Sequence, residues 1–282
     1  MTVSESRREL TDRFRSSGVE SPEVNAEWLL ASLLNCSRTE LPLRLDESIP
    51  DPQLEHLNSQ AARRAKREPL QHILGTACFC GLKFQVTPAV LVPRPETEEL
   101  IELAFEAAKT MPCPVIYDFG TGSGCIAVTL AKRLAKAKVI ASDISDEALR
   151  LAKANAEQHE VIKRVEFRQA DGSALAAVEQ VQLIVSNPPY IPTSEIAALE
   201  PEVRDYDPRL ALDGGRDGLE FYRMLARLGQ VALTPGGSLI AEFGDGQEDE
   251  IESIFRKATW PDIRFAKDLC GKPRIVIAST GQ

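Results

Sequence analysis

The amino-acid sequence predicts an α/β protein in which helices cover a mostly parallel sheet and a small helical domain comes first. From residue 96 onward, short apolar runs alternate with stretches of helical period, which is typical of parallel strands joined by helices. Before residue 76, apolar residues recur mainly at helical spacing. We therefore predict a helical domain over 1–75, a β-hairpin linker over 76–95 and an α/β domain over 96–282.

The N-terminal helices are predicted from their start signals. Ser21-Pro22 and Asp51-Pro52 each offer a capping side chain followed by a proline that fits the start of a helix. The residues expected on the buried faces are Val24, Trp28, Leu29 and Leu33 in the first helix, and Leu54, Leu57, Ala61 and Ala65 in the second. Basic residues at the end of the second helix form either a solvated helix end or a docking patch for an acidic partner. They are Arg63, Arg64, Lys66 and Arg67.

The hairpin and the sheet are predicted from apolar runs and their interruptions. Between 76 and 95, Gly81 and Pro88 interrupt a β-like pattern. The seven strands of the α/β domain are predicted near 115–119, 138–142, 165–169, 181–186, 238–243, 263–267 and 274–279. The helices are predicted over 96–109, 124–135, 146–158, 218–232 and 246–258.

Composition excludes several classes of protein. Hydrophobic residues make up 43% and charged residues 27% of the 282 residues, which excludes wholesale disorder. The formal net charge of -9 argues against direct binding of nucleic acid through its phosphates. No apolar stretch approaches the roughly 18 residues of a membrane span, and the N-terminus lacks the apolar core of a secretory signal. We expect a cytoplasmic protein with no membrane partner.

Cysteine and histidine spacing argues against a metal site. The 6 cysteines form no CxxC pair, and none of the 3 histidines stands beside a cysteine. We therefore expect reduced thiols and no metal cofactor.

A glycine-rich turn follows the first strand of the α/β domain. The run 115–119 leads into Gly120-Thr121-Gly122-Ser123-Gly124, and a helix is predicted to begin near Cys125. Glycines let the backbone turn tightly and approach a ligand, while a helix N-terminus presents unpaired N–H groups. A dinucleotide-binding turn would carry glycine or alanine where this chain has Cys125, so nicotinamide binding is disfavoured.

The second strand of the α/β domain ends in an acidic residue that could bind the ribose of a nucleoside. Asp143 ends the second strand and is placed to accept hydrogen bonds from ribose hydroxyls. Alternatively, it simply begins the next helix together with the capping residues Ser145 and Asp146.

Two further acids extend this pattern. Asp118 is placed to hold the ammonium of an amino-acid group, and Asp171-Gly172 closes the third strand, where adenine would lie. Asp171 is equally compatible with a plain turn. A ligand with a ribose, a nucleobase and an amino-acid tail, but no pyrophosphate, is S-adenosylmethionine.

The fourth strand ends in Ser186-Asn187-Pro188-Pro189-Tyr190, at the edge where open α/β sheets bind ligands. The prolines remove two N–H donors, so this loop offers hydrogen-bond acceptors. A planar NH2 group can donate one hydrogen to the Asn187 side-chain oxygen and the other to the Pro188 main-chain oxygen, with Tyr190 stacked on its face. Held in this way, the nitrogen lone pair turns toward a methyl donor.

Together these motifs resemble those of the peptide chain release factor glutamine methyltransferases, the PrmC/HemK family. The likeness spans nearly the whole chain. Asn-Pro-Pro-Tyr alone is shared by DNA, RNA and protein amino methyltransferases, so the narrower assignment depends on the helical domain and on PRPETE within the run LVPRPETE over 91–98. Further matches are the segments 208–215 and 217–222 and the closing residues 268–276.

The resemblance implies a Rossmann-like, seven-stranded S-adenosylmethionine-dependent methyltransferase sheet with a small N-terminal helical domain. The implied cofactor residues are Asp118, Gly120, Thr121, Gly122, Ser123, Gly124, Asp143, Asp171, Gly172 and Asn187. Asn187, Pro188, Pro189 and Tyr190 would bind the target side chain, and Asn187, Pro188 and Tyr190 would be catalytic. Family members often carry an aromatic residue at the position of Gly172, so only backbone contact with adenine carries over.

The implied substrate is the glutamine of the Gly-Gly-Gln motif in class I release factors, methylated at its side-chain nitrogen N5. The helical domain and the irregular segment 191–216 would contact this protein. Three alternatives fit parts of this pattern: a ribosomal-protein glutamine methyltransferase with the same chemistry, an adenine N6-methyltransferase acting on DNA or RNA, and a binding module without activity. The net charge disfavours the second. The intact glycine loop and acceptors disfavour the third.

Overall fold

The computed structural model describes residues 1–170, 180–268 and 271–281. These residues form two compact units. The first unit contains Met1–Thr76 together with Glu200–Tyr206, and the second contains the described parts of Ala77–Leu199 and Asp207–Gln282. A short piece of the long segment after the fourth sheet strand therefore packs with the N-terminal helices.

The elements follow one another in a regular order along the described chain. The helices are α1 (Val3–Ser16), α2 (Pro22–Leu33), α3 (Asp51–Ala65), α4 (Leu70–Leu74), α5 (Thr97–Ala108), α6 (Cys125–Arg133), α7 (Asp146–Gln158), α8 (Pro201–Arg204), α9 (Glu220–Ala232) and α10 (Glu248–Lys257). The strands are β1 (Thr76–Phe79), β2 (Leu82–Gln85), β3 (Val115–Phe119), β4 (Lys138–Asp143), β5 (Val165–Gln169), β6 (Val181–Ser186), β7 (Leu233–Glu242), β8 (Asp262–Lys267) and β9 (Pro273–Ser279).

The first unit packs α1 to α4 around a small apolar core. Helix α1 begins with a capping box, in which Thr2 Oγ1 accepts from the Glu5 N–H at 3.2 Å and Glu5 Oε2 accepts from the Thr2 N–H at 2.8 Å. The predicted helix start at Pro22 is confirmed. Helix α3 begins one residue earlier than predicted, because Asp51 is its first helical residue and Pro50 holds the cap position without a side-chain cap bond. The core side chains include Leu10, Phe14, Leu29, Leu30, Leu57 and Ala61.

Two details of α2 contradict the sequence prediction. Ser21 lies in the left-handed region with φ 49°, and its side chain caps no N–H group. Val24 and Trp28 are 36% and 43% exposed, so they do not belong to the buried face. Apolar residues lie on more than one side of this helix, and packing against α1 selects Ala26, Leu29 and Leu30.

The arginine-rich end of α3 is not a solvated helix end, contrary to the first interpretation. Arg64 is only 5% exposed, and its Nη2 donates to Glu202 Oε1 at 3.0 Å. Arg67 donates from Nε to the same oxygen and from Nη2 to Glu200 Oε2 at 3.0 Å. The carboxylates that pair with these arginines therefore come from the inserted segment around α8 of the same chain.

A hairpin occupies the first part of the segment 76–95. Strands β1 and β2 form a two-stranded sheet, and the turn between them consists of Cys80 and Gly81 with φ 47° and 72°. Positive φ at both positions matches the twist of a two-residue hairpin turn. Val86, Val90 and Val92 follow outside any strand and pack with Ala148 in a separate small cluster.

The second unit contains a seven-stranded sheet in the order β5-β4-β3-β6-β7-β9-β8. Strands β5, β4, β3, β6 and β7 pair in parallel, whereas β9 is antiparallel to both β7 and β8. The predicted mostly parallel fold class is confirmed. One strand end is wrong: β7 begins at Leu233 rather than 238, because Leu233 pairs with Val181 before a register shift between Val181 and Leu183.

Helices cover both faces of this sheet. Successive strand residues point to opposite faces, so neighbouring residues on one strand pack against different helices. Ile116 belongs to the cluster that contains residues of α5, α6 and α7, and Tyr117 belongs to the cluster that contains residues of α9 and α10. Within the described residues, every helix is too short or too polar to cross a membrane.

The strand order reverses between β3 and β6. From β3 the chain continues outward through β4 and β5, and it then returns to β6 and β7 on the other side of β3. The loops after β3 and β6 therefore diverge and leave a crevice at the carboxyl edge of the sheet, which is where open α/β sheets bind ligands.

One buried side chain joins three elements near this edge. Asn155 of α7 is fully buried, and its Nδ2 donates to Ser123 O at 2.8 Å and to Gln85 O at 3.0 Å. Its Oδ1 accepts from the Gln85 N–H at 2.8 Å. Asn155 thus ties the glycine turn and the hairpin to α7.

We predict that Asn155→Ala destabilises the second unit by about 2–4 kcal/mol, since each buried polar group left unpaired costs about 1–3 kcal/mol. Urea unfolding in a Trp28→Phe background measures this, because the buried Trp260 then reports on the second unit alone. Gln158→Ala is the matched control: it removes an exposed amide that bonds to Lys83 O, and it should cost less than about 1 kcal/mol. Equal losses for the two variants would contradict the role of Asn155.

Candidate active site

The carboxyl ends of β3, β4 and β6 bring most of the predicted site residues to one edge of the sheet. In the parallel register Phe119 lies opposite Ser142 on one side and Ser186 on the other. Ser186 Oγ donates to Phe119 O at 2.8 Å, which ties the strand ends together. The glycine turn, Asp143 and the segment 187–190 follow directly from these positions. Asp171 and Gly172 lie outside the described residues.

The three glycines of the turn serve two different purposes. All three have positive φ, 70° at Gly120, 52° at Gly122 and 80° at Gly124. A Cβ added at Gly120 or Gly122 would meet nothing within 4 Å, so there is open space over the turn. At Gly124 it would lie 2.9 Å from Ala152 Cβ, so this glycine lets the start of α6 pack against α7.

Asp143 closes the turn from the neighbouring strand. Its Oδ2 accepts from the Gly122 N–H at 2.9 Å, and its Oδ1 accepts from the Ser145 N–H at 2.9 Å. The cap of α7 is supplied by Ser145, whose Oγ accepts from the Ala148 N–H at 3.2 Å. Each carboxylate oxygen has capacity for a second hydrogen bond. Asp143 is therefore half-buried beside the turn with acceptor capacity remaining.

Asp118 lies fully buried beneath the turn. Its Oδ2 accepts from Thr121 Oγ1 at 2.6 Å and from the Ala127 N–H at 3.2 Å. Its Oδ1 has no hydrogen-bond partner among the described residues. Burial raises the pKa of Asp118 to about 7, against the lowering effect of these two donors. Thr121 and Ser123 are also buried, so their side chains support the turn from within.

The loop after β6 offers oxygen acceptors, as its sequence predicts. Pro188 and Pro189 are buried and Asn187 is half-buried. None of the residues that the structure describes donates a hydrogen bond to Pro188 O or to Asn187 Oδ1. Burial raises the pKa of the Tyr190 hydroxyl to about 12, so this ring stays neutral. Gln247 Nε2 donates to Tyr190 O at 2.9 Å and holds the end of the loop.

The segment that follows folds back directly onto this loop. The Ile191 N–H donates to Leu212 O at 3.0 Å, and the Gly214 N–H donates to Ile191 O at 2.9 Å. A Cβ at Gly214 would lie 2.9 Å from Pro189 O, and one at Gly218 would lie 2.3 Å from Tyr190 O. Only glycine allows the two backbones to approach so closely.

Two residues that the sequence analysis did not assign to the site hold the Asn187 side chain. Asn187 Nδ2 donates to Thr97 Oγ1 at 3.0 Å, and Thr97 Oγ1 donates to Glu242 Oε2 at 2.7 Å. Thr97 and Glu242 are both buried. Burial raises the pKa of Glu242 to about 7, although hydrogen bonds from Thr97 and Asn187 lower it. The sequence carried one signal for them, since Thr97 belongs to the run LVPRPETE.

The run LVPRPETE is also held in place by a hydrogen bond from its arginine. Arg94 Nη2 donates to Asp207 Oδ2 at 2.9 Å, and burial raises the pKa of Asp207 to about 6. At the other side of the site, Ile144 lies directly after Asp143 and is 54% exposed, and the sequence analysis did not assign it to the site. Within the described part of the chain, no three His, Cys, Asp or Glu side chains are grouped closely enough to hold a metal ion.

Comparison with known proteins places the chain in a family. Residues 5–75 match the model of the PrmC N-terminal domain, and residues 103–200 match that of the methyltransferase small domain. A release factor glutamine methyltransferase from Geobacter sulfurreducens is 45% identical over 260 residues, which cover 92% of this chain and 90% of the relative. The chain belongs to the release factor glutamine methyltransferase family. A relative of the same name from Streptomyces coelicolor is 41% identical over 276 residues, with 95% and 94% covered.

Solved structures agree with the fold of this methyltransferase family member. A methyltransferase from Pyrococcus furiosus superposes with a TM-score of 0.54 at 20% identity, covering 83% of this chain and 100% of that one. A likeness at this identity concerns the fold alone. It confirms the predicted Rossmann-like methyltransferase sheet.

We predict that Gly218→Ala destabilises this methyltransferase by at least 2 kcal/mol more than Gly236→Ala. Both glycines have nearly the same φ, 75° and 76°, but a Cβ at Gly236 meets nothing within 4 Å. Backbone strain costs about 1–3 kcal/mol at either position, and overpacking against Tyr190 O adds about 1–3 kcal/mol at Gly218 only. Urea unfolding in the Trp28→Phe background, followed at Trp260, measures both. Equal destabilisation would show that the contact with the loop can relax freely.

Proposed function

We propose that this protein transfers a methyl group from S-adenosylmethionine to the side-chain amide nitrogen N5 of the glutamine in the Gly-Gly-Gln motif of class I release factors. We place this reaction in the cytoplasm, where translation terminates. The observation that carries the proposal is a pair of oxygens, Asn187 Oδ1 and Pro188 O, that accept no hydrogen bond from the described residues and lie on the same sheet edge as the glycine turn.

The residues around the turn fit S-adenosylmethionine, which supplies a methyl group on a positively charged sulfur when bound. Asp143 has acceptor capacity for ribose hydroxyls beside Gly122. The unpaired Oδ1 of Asp118 is the acceptor left for the ammonium of the methionine part. The exposed Ile144 offers an apolar surface for one face of adenine. Asp171 and backbone near Gly172 remain our candidates for the other adenine contact.

The substrate amide needs two acceptors because its nitrogen is a poor nucleophile. Its lone pair is delocalised into the neighbouring carbonyl, and both N–H hydrogens must be held for the nitrogen to be presented at a fixed angle. Asn187 Oδ1 and Pro188 O would each take one hydrogen, and the neutral Tyr190 ring would lie on the face of the amide. Preorganised groups of this kind contribute by positioning and by electrostatics. No side chain is required to act as an acid or a base.

We further propose that the helical first unit and the segment 191–216 dock the release factor. The segment carries Leu210, which is 67% exposed and apolar, close in sequence to the glycines that pack on the acceptor loop. The names of the relatives favour a release factor over a ribosomal protein or a nucleic acid as substrate.

Labelled S-adenosylmethionine distinguishes these substrates directly. The purified protein is incubated with a class I release factor, with the same factor carrying Gln→Ala in its Gly-Gly-Gln motif, with ribosomal proteins, and with DNA or RNA. We expect label only in the unchanged release factor. Label in the Gln→Ala factor, in ribosomal proteins or in nucleic acid would overturn the assigned substrate.

We predict that Asp143→Ala weakens S-adenosylmethionine binding about tenfold to a hundredfold, because a charge-assisted hydrogen bond is worth roughly 1.5–3 kcal/mol. Calorimetry measures this affinity. Asp146→Ala is the matched control, since Asp146 is an exposed acid at the start of the same helix and should leave the affinity within about twofold. Unchanged affinity in Asp143→Ala would remove Asp143 from the cofactor site.

We predict that Asn187→Ala folds, binds S-adenosylmethionine, and loses about 10²- to 10³-fold in the rate of methyl transfer, as expected for loss of one preorganised polar contact. Single-turnover rates at saturating release factor and cofactor measure this loss. Asn187→Asp keeps an acceptor but places a second negative charge beside Glu242, so it should also be slow. Wild-type single-turnover rates in Asn187→Ala would show that two acceptors are not needed.

A further inference from the structure

We propose that Thr97 and Glu242 are positioning residues that determine which end of the Asn187 amide faces the substrate. The inference rests on the proposed function, because it concerns how the acceptor oxygen of that site is presented. Thr97 and Glu242 act through Asn187 and need not touch the substrate themselves.

The direction of the hydrogen bonds follows from the single hydrogen of the threonine hydroxyl. When Glu242 is ionised, it can only accept, and Thr97 Oγ1 donates that hydrogen to Glu242 Oε2 at 2.7 Å. Toward Asn187 it can then only accept, so the atom 3.0 Å away must be the amide nitrogen Nδ2 and not the oxygen. Asn187 Oδ1 is consequently turned to the other side, where the proposed substrate nitrogen would lie.

The sheet places Glu242 where it enforces this direction. Ser186 pairs with Ala241 in the parallel register, so Asn187 and Glu242 are the next residues on neighbouring strands. Thr97 Oγ1 bonds to both side chains, so the nitrogen end of the Asn187 amide lies on the side of the Glu242 carboxylate. Turning the amide over would bring its oxygen against a carboxylate.

Burial makes the preference strong. Thr97 and Glu242 are 3% and 4% exposed, so water cannot replace a lost partner. A buried polar group without a partner is costly, and interactions between charges and dipoles are stronger in such surroundings than in water. The hydrogen bonds from Asn187 to Thr97 and from Thr97 to Glu242 give the buried Glu242 carboxylate a role, since it forms no salt bridge with any residue that the structure describes.

The first test compares Thr97→Val, which keeps the shape but removes the hydroxyl, with Thr97→Ser, which keeps the hydroxyl. We expect Thr97→Val to slow single-turnover methyl transfer about 10- to 100-fold, since small misplacement at a reacting centre has effects of this size. S-adenosylmethionine affinity should stay within about twofold, and Thr97→Ser should restore the rate to within about threefold of wild type.

The second test asks whether Thr97 acts through Asn187. In the double variant Asn187→Ala with Thr97→Val, the rate should be no lower than in Asn187→Ala alone, because the amide that Thr97 orients is already missing. Losses that multiply would overturn the proposal, since Thr97 would then act independently.

A third measurement does not depend on the reaction. In protein labelled with 15N at asparagine, the side-chain amide hydrogens of Asn187, assigned from their absence in Asn187→Ala, should be protected from exchange in wild type and in Thr97→Ser. They should lose protection in Thr97→Val. Unchanged protection in Thr97→Val would overturn the proposal even if release factor methylation is established. Thr97-dependent protection in a protein that does not methylate release factors would uphold it and refute only the proposed function.

Glu242→Met provides a second route if Thr97→Val does not fold. It removes a buried carboxylate, which need not cost stability when an apolar side chain of similar size replaces it. The Thr97 hydroxyl hydrogen is then free to turn toward Asn187, and the Asn187 side-chain amide is no longer held in one orientation. We expect slow transfer together with lost amide protection, and wild-type values of both would overturn the proposal.

Discussion

Parallel pairing of β3 with β6 is the constraint on which the rest of the second unit depends. The chain reaches β6 only after building β4 and β5, so the two central strands come from distant parts of the sequence and carry loops that leave in opposite directions. Because side chains alternate along a strand, a slip of one residue would turn Ser186 and the residues after it to the wrong side. The bond from Ser186 Oγ to Phe119 O holds the register at the point where both loops begin.

Local patterns were sufficient to predict the strands of this sheet and the start of α6 at Cys125. They were not sufficient wherever the decisive partner is far away in the sequence. Arg64 meets a carboxylate 138 residues later, and Thr97 meets Asn187 and Glu242 at separations of 90 and 145 residues. No periodicity or spacing rule reaches over such distances. The roles of these residues therefore emerged only from the fold.

The candidate site also shows how a fold can retain groups that burial disfavours. Asp118 and Glu242 are buried acids whose pKa values are raised to about 7. Asp118 accepts hydrogen bonds from Thr121 and Ala127, and Glu242 accepts one from Thr97. An apolar core would be easier to build at these positions. Groups of this kind cluster at functional sites, because they orient neighbouring atoms that packing alone would leave free to rotate. In this protein the oriented parts are the glycine turn and the Asn187 amide.

The inserted segment Glu200–Tyr206 determines how late in translation the first unit can finish folding. It belongs to the first unit, although the chain on both sides of it belongs to the second. A ribosome that has made all four N-terminal helices has not yet made Glu202, because Glu202 comes 138 residues after Arg64 in the sequence. During translation the first unit can collapse early around its apolar core, but it is completed only after β3 to β6 have left the ribosome. The first unit therefore cannot finish folding before much of the second unit has been synthesised.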